Sequence, residues 1–227
     1  MGTLTVQNIL DRASRTLYDQ TNIKWSRVEL LDHLNAGQRA IAIAAPTTLA
    51  TVATMQCVQG ARQTIPSGGW LLLDVIRNMT GGTTPGRSVR IISRRLLESY
   101  DPNWQSGTKT AEVQSYWFDI QDQTSFFVYP PNNGSGYVEV NYSAQPNVLT
   151  SDNQTITVPD VVDSALVNFV LFRACSKAAD FSPGPQMAAA FLETFNQMMG
   201  AKLTSEQVNN PNLGLLPPDA GLRGGTS

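Results

Sequence analysis

Trp25 to Ala45 reads WSRVELLDHLNAGQRAIAIAA, and the fold turns on this stretch. Ser26 with Glu29 three residues on is a capping-box pattern: the serine oxygen takes the Glu29 N–H while the Glu29 carboxylate reaches back. A helix is predicted to start there. Leu30, Leu31, Leu34, Ile41 and Ala45 recur at helical spacing, Asp32, Asn35 and Arg39 lie on the other side, and Pro46 ends the run. The stretch carries no evident catalytic group. It reads as a helix with one apolar face and one face of hydrogen-bonding groups.

Upstream, Val6, Ile9, Leu10, Ala13 and Leu17 predict a helix over Thr5 to Tyr18. The short link Asp19 to Trp25 makes the pair an αα-hairpin or a helix-turn-helix corner. DNA reading is disfavoured, because the second helix lacks the Arg, Lys, Asn and Gln cluster in its first turns that reads base edges. After Pro46 the language turns to β-branched residues. Thr51 to Val58, Arg62 to Ile65, Trp70 to Arg77 and Val89 to Ile92 are predicted strands, with Gly81 to Gly86 as a flexible connection. Ser115 to Ser143 predicts a three-stranded meander: SYWFDI, SFFVYPP and YVEVNYS, separated by QDQT and NNGSG.

Pro159 then opens a second helical region. Val162, Leu166, Phe169 and Phe172 share one face, with Asp163, Arg173 and Lys177 away from it. A last helix is predicted from Gln186 to Met199 or somewhat beyond. Residues 209 to 227 are rich in Pro, Gly and Leu and cannot fold alone. The expected class is therefore α+β: a bundle of N-terminal (1–46) and C-terminal (159–208) helix pairs, an inserted antiparallel β domain (47–158), and an extended tail (209–227).

Composition bounds the chemistry. The 227 residues carry a net charge of −2, and only 15% are charged against a usual quarter, while Asn, Gln, Ser and Thr abound. No net positive field exists to wrap nucleic acid. Arg87, Arg90, Arg94 and Arg95 form the one basic concentration, read as a solvated or subunit-pairing patch before a DNA-phosphate contact. No run approaches the roughly 18 apolar residues of a membrane span. The N-terminus shows no signal sequence, so synthesis in the cytoplasm is expected.

Cys57 and Cys175 have no metal-binding spacing and read as buried thiols. His33 is the sole histidine and has no nucleophile motif beside it. Gly81 to Gly86 matches neither phosphate-loop pattern. Asp119 with Asp122, or Glu98 with Asp101, is a carboxylate pair of the kind chance supplies. The expectation is a non-enzyme without cofactor or metal. A rival reading is a glycan-binding β module of a virion or surface protein, with Trp104 and Trp117 as stacking platforms.

Two segments resemble a known family. WSRVELLDHLNAGQRAI, and VPDVVDSALVNFVLFRACSKAAD followed by FLETFNQMMG, are similar to the terminal helical motifs of head-to-tail adaptor (connector) proteins of tailed bacteriophages. The resemblance implies a structural virion protein at the head-tail junction, in a ring commonly of twelve subunits. Its partners would be its own copies, the portal protein and a tail nozzle or tube protein, with double-stranded DNA passing non-specifically through the lumen. It also implies that the tail lies along the portal or a neighbouring subunit. Asp32, Asn35, Gln38, Arg39, Arg173 and Lys177, with Leu213, Leu215 and Leu216 of the tail, are the expected interface residues.

Overall fold

The computed structural model describes residues 2–119, 121–177 and 184–209. In chain order the elements are α1 (Val6–Thr16), α2 (Arg27–Ala44), β1 (Ala50–Gln56), β2 (Gly60–Thr64), β3 (Gly69–Thr80), β4 (Thr84–Ser88), β5 (Arg90–Ile91), α3 (Arg94–Tyr100), β6 (Ser115–Trp117), β7 (Ser125–Asn132), β8 (Tyr137–Ala144), α4 (Asp163–Lys177) and α5 (Gly184–Val208). The chain divides into two compact units, Met1–Ala45 with Leu149–Ser227, and Pro46–Val148. Residues 149–158, expected with the β domain, belong to the helical unit. Leu149, Ile156 and Val158 are buried, and the Ile156 N–H donates to the Leu4 carbonyl at 3.0 Å.

In the helical unit, α4 is the central helix, packing on α1, α2 and α5. Thr5 and Asn8 form a complete capping box on α1. Its first free N–H groups, of Val6 and Gln7, donate to the Gln154 and Asp152 carbonyls at 2.9 and 3.0 Å, so helix donors left without intrahelical partners are satisfied by the returning chain. On α2, the Ser26 oxygen takes the Glu29 N–H at 3.3 Å as expected. The reciprocal half is absent, because the Glu29 carboxylate accepts instead from Lys177 Nζ on α4 at 2.7 Å.

Gly37 is where α2 and α4 approach closely: a Cβ there would stand 2.7 Å from Leu166 Cδ1 and 3.1 Å from Phe169 Cδ1. Trp25 Nε1 donates to the Ala174 carbonyl at 3.0 Å. The Arg27 guanidinium joins Asp11 at 2.9 Å and Asp152 at 2.8 Å. Phe169, which also lies against Gly37, meets Phe195 of α5 edge-on at 5.3 Å.

The β unit consists of two four-stranded sheets, ordered β1-β8-β3-β4 and β2-β7-β6-β5. Leu72, Val75, Tyr116, Phe126, Val128, Val138 and Val140 belong to their common core. The expected meander is corrected: β6 and β7 pair, but β8 lies in the other sheet between β1 and β3. The crossing is made at a tight corner. Asn132 Oδ1 accepts from Gly134 and Gly136, and its amide donates to the Ala111 carbonyl. A Cβ on Gly136 would stand 2.0 Å from that carbonyl oxygen, so the corner admits only glycine. The expected connection Gly81 to Gly86 is also corrected, since it holds a turn and the start of β4, which pairs back on β3.

Candidate assembly interface

The surface of α2 is built by its helical period. Leu30, Leu34 and Ile41 face inward; Val28, Asp32, Ala36, Arg39 and Ile43 fall on the opposite side. Val28 and Ile43 are 71% and 70% exposed. Between them, Asp32 and Arg39 are exposed and make no hydrogen bond or ion pair among the described residues. Arg173 on α4 is likewise exposed without such a partner among them. The outward face of α2 thus shows two branched apolar side chains bracketing two unmatched charges of opposite sign. Sequence reading caught the charges and missed Val28 and Ile43, although both sit at the same helical spacing.

At the α2–α4 seam, Glu29 accepts from Lys177 and stands 3.9 Å from His33 Nε2. Burial pushes the His33 pKa below its ordinary 6.5, and Arg173 and Lys177 push the same way, against Glu29 and Asp32. Lys177 is therefore engaged within the chain.

Asn35 and Gln38 are corrections. Asn35 is buried, and its amide donates to the Leu149 carbonyl and accepts from the Leu149 N–H, both at 2.9 Å. Gln38 is fully buried, and its Oε1 accepts from the Thr157 N–H at 2.7 Å. Both amides join helix to connecting segment inside the subunit and present nothing to a neighbour. Gln63, Asn78 and Asn132 do the same in the β unit. Part of the amide abundance is thus internal. Leu213, Leu215 and Leu216 lie outside the described residues.

The chemical candidates resolve into structural roles. Asp122 is held below the ordinary carboxylate range by Ser125, with Thr124 and Arg62 adding to it, and the Asp119 carboxylate caps its own turn at Gln121. Glu98 binds Arg94, and Asp101 accepts from the Asn103 N–H. Cys57 and Cys175 are free and buried, and burial pushes the Cys57 thiol up to about 11. Trp104 and Trp117 are 1% and 7% exposed and pack with Leu97 and Phe127. They cannot serve as open stacking platforms, and the glycan reading loses its residues. Of the basic patch, Arg94 lies over the Trp117 ring at 5.5 Å and Arg87 is 3.7 Å from Glu112. No helix among the described residues is long and apolar enough to cross a membrane.

An apolar cavity of about 540 Å³, which sequence reading did not foresee, is lined by Leu17, Tyr18, Ile23, Trp25, Met187 and Phe191 among others. Tyr18 is 96% exposed and holds a left-handed φ of 54°, a conformation bulky residues seldom adopt. Asp19 builds this rim, its carboxylate accepting from the Ile23, Lys24 and Trp25 N–H groups at 2.9 Å each. Those bonds, chiefly the one from Trp25, keep its pKa low.

An α+β chain whose candidate carboxylate pairs and Trp104 and Trp117 are held in its own packing, and whose outer helices carry charges without partners among the described residues, has the build of a structural subunit. It belongs to the SU10 adaptor protein family, whose model matches residues 4–214, and so to the phage head-tail adaptors. The family is one of structural virion proteins, which implies a non-enzymatic role and virion partners. No curated protein matches the chain.

Proposed function

We propose that the subunit closes into a ring, of twelve copies, between the portal and the tail, and that double-stranded DNA passes through its lumen. The observation that carries this reading is the outward stripe of α2 in a chain of adaptor family. Val28 and Ile43 would lose water on contact with a neighbour, and Asp32 and Arg39 would find opposite charges on a different face of it. Such heterologous contacts close into rings when the rotation fits. Arg173 and Lys177 extend the same polar surface on α4, and the tail leucines Leu213, Leu215 and Leu216 would reach the portal or an adjacent copy. A net charge of −2 suits a conduit, since a strongly basic wall would hold DNA through its phosphates.

The test is imaging of the full chain mixed with its portal ring. Class averages with an added layer beneath the portal are expected, and lost with Asp32→Arg. A portal that stays bare in the presence of excess wild-type protein contradicts the reading.

A further inference from the structure

Strand β1, Ala50–Gln56, is the edge of its sheet and pairs with β8 over seven consecutive positions without a register shift. Its sequence, ATVATMQ, contains no charge, proline or glycine. Exposed edges of this kind are templates for another strand, and proteins blunt them with charge, proline, bulges or brevity. The other edges here are blunted. β4 contains Pro85 and Arg87 and pairs irregularly with β3; β2 has a register break and Arg62; β5 spans two residues. β1 alone is bare.

The phase of its free groups follows from the ladder. Cys57, just past β1, donates to the Gly136 carbonyl at 2.8 Å, so by antiparallel alternation Val52, Thr54 and Gln56 turn their N–H and C=O groups to the open side. Val52 is 54% exposed. Ala53 and Met55, on the inward face, are only partly buried where they meet the sandwich core. Among the described residues the edge therefore has no backbone partner, and its inward side chains are only partly covered.

We infer that this edge accepts, by strand addition, the segment Asn212–Leu216 from the tail of a neighbouring copy. Asn212 stands four residues beyond Val208, the end of α5, so at about 3.3 Å per extended residue Asn212–Leu216 reaches about 13 to 26 Å from the helix end, and the acceptor edge of the neighbouring copy must lie within that distance. Between Pro211 and Pro217 the sequence NLGLL offers an uninterrupted set of N–H groups. Leu213 and Leu215, two apart, fall on one face, and there they cover Ala53 and Met55. Main-chain bonds supply affinity and the alternate leucines supply specificity. Donation between copies rests on the ring reading above, because a subunit with one donor and one acceptor closes head to tail.

Two full-length variants, Thr54→Cys and Gly214→Cys, are mixed under mild oxidation, with Val52→Cys as a register alternative. The native cysteines are buried. A disulfide-linked pair of unlike chains is expected, and it should be lost with Thr54→Pro on the acceptor. That substitution removes an N–H on the open side while the bonds to β8 stay, and far-UV circular dichroism confirms the fold. A Thr54–Thr54 pair, a link only within doubly substituted chains, or no link in any register overturns the inference. Native mass of the same samples reads assembly separately: a ring without the link contradicts strand addition alone, and linked chains without a ring contradict ring closure alone.

Discussion

Asn35 and Leu149, 114 residues apart, exchange two hydrogen bonds, with the Asn35 amide acting as a strand would toward the Leu149 backbone. The bond pair fixes the point at which the chain, returning from the β unit, rejoins α2. Asn35→Leu removes both partners and leaves a buried N–H and C=O unmatched. Each such group costs about 1–3 kcal/mol, so a loss of roughly 2–6 kcal/mol is expected in urea unfolding, with Asn35→Asp recovering only part of it.

Two glycines in helices should respond with opposite signs. At Gly37 an added methyl meets Leu166 and Phe169, and overpacking costs of about 1–3 kcal/mol outweigh the roughly 1 kcal/mol gained in helix propensity. At Gly200 on α5 nothing lies within 4 Å of the added carbon, so the propensity gain stands alone. Thermal unfolding should show Gly37→Ala below wild type and Gly200→Ala above it.

His33 predicts a pH dependence. Its native pKa lies below 6.5, chiefly through burial, so below pH 6.5 the unfolded chain binds the proton more readily. The stability it contributes is complete above 6.5 and lost as pH falls through the native value. His33→Leu should flatten the decline that sets in as pH falls below 6.5. The low pKa values of Asp19, Asp122 and Asp160, the last held down by the hydroxyl and N–H of Thr3, act in a separate window, below 3.8, where the variant should still lose stability.

What the sequence made legible was local. Apolar spacing located α1, α2, α4 and α5, and Ser26 marked the start of α2, because caps and helical period are properties of neighbouring residues. The position of β8 was not legible: YVEVNYS alternates equally well beside β7 or between β1 and β3, and the choice is made by Asn132 and Gly136 at the corner. The Glu29 carboxylate left its own cap for Lys177, 148 residues away. Asn35 and Gln38 looked like surface groups because a polar side chain on a helix shows its chemistry and hides its partner. For the candidate interface, Asp32 and Arg39 were readable as unabsorbed charges, whereas the exposure of Val28 and Ile43 required knowing where α4 lies.

In the proposed ring, the outward face of α2 joins one subunit to the next. Native mass spectrometry of the full chain with its portal, for wild type and for Arg39→Glu, tests it most directly. Wild type is expected as a closed complex of twelve copies, and Arg39→Glu as a folded monomer with unchanged circular dichroism. Wild-type protein that stays monomeric beside the portal, or an Arg39→Glu variant that assembles as wild type does, would contradict it.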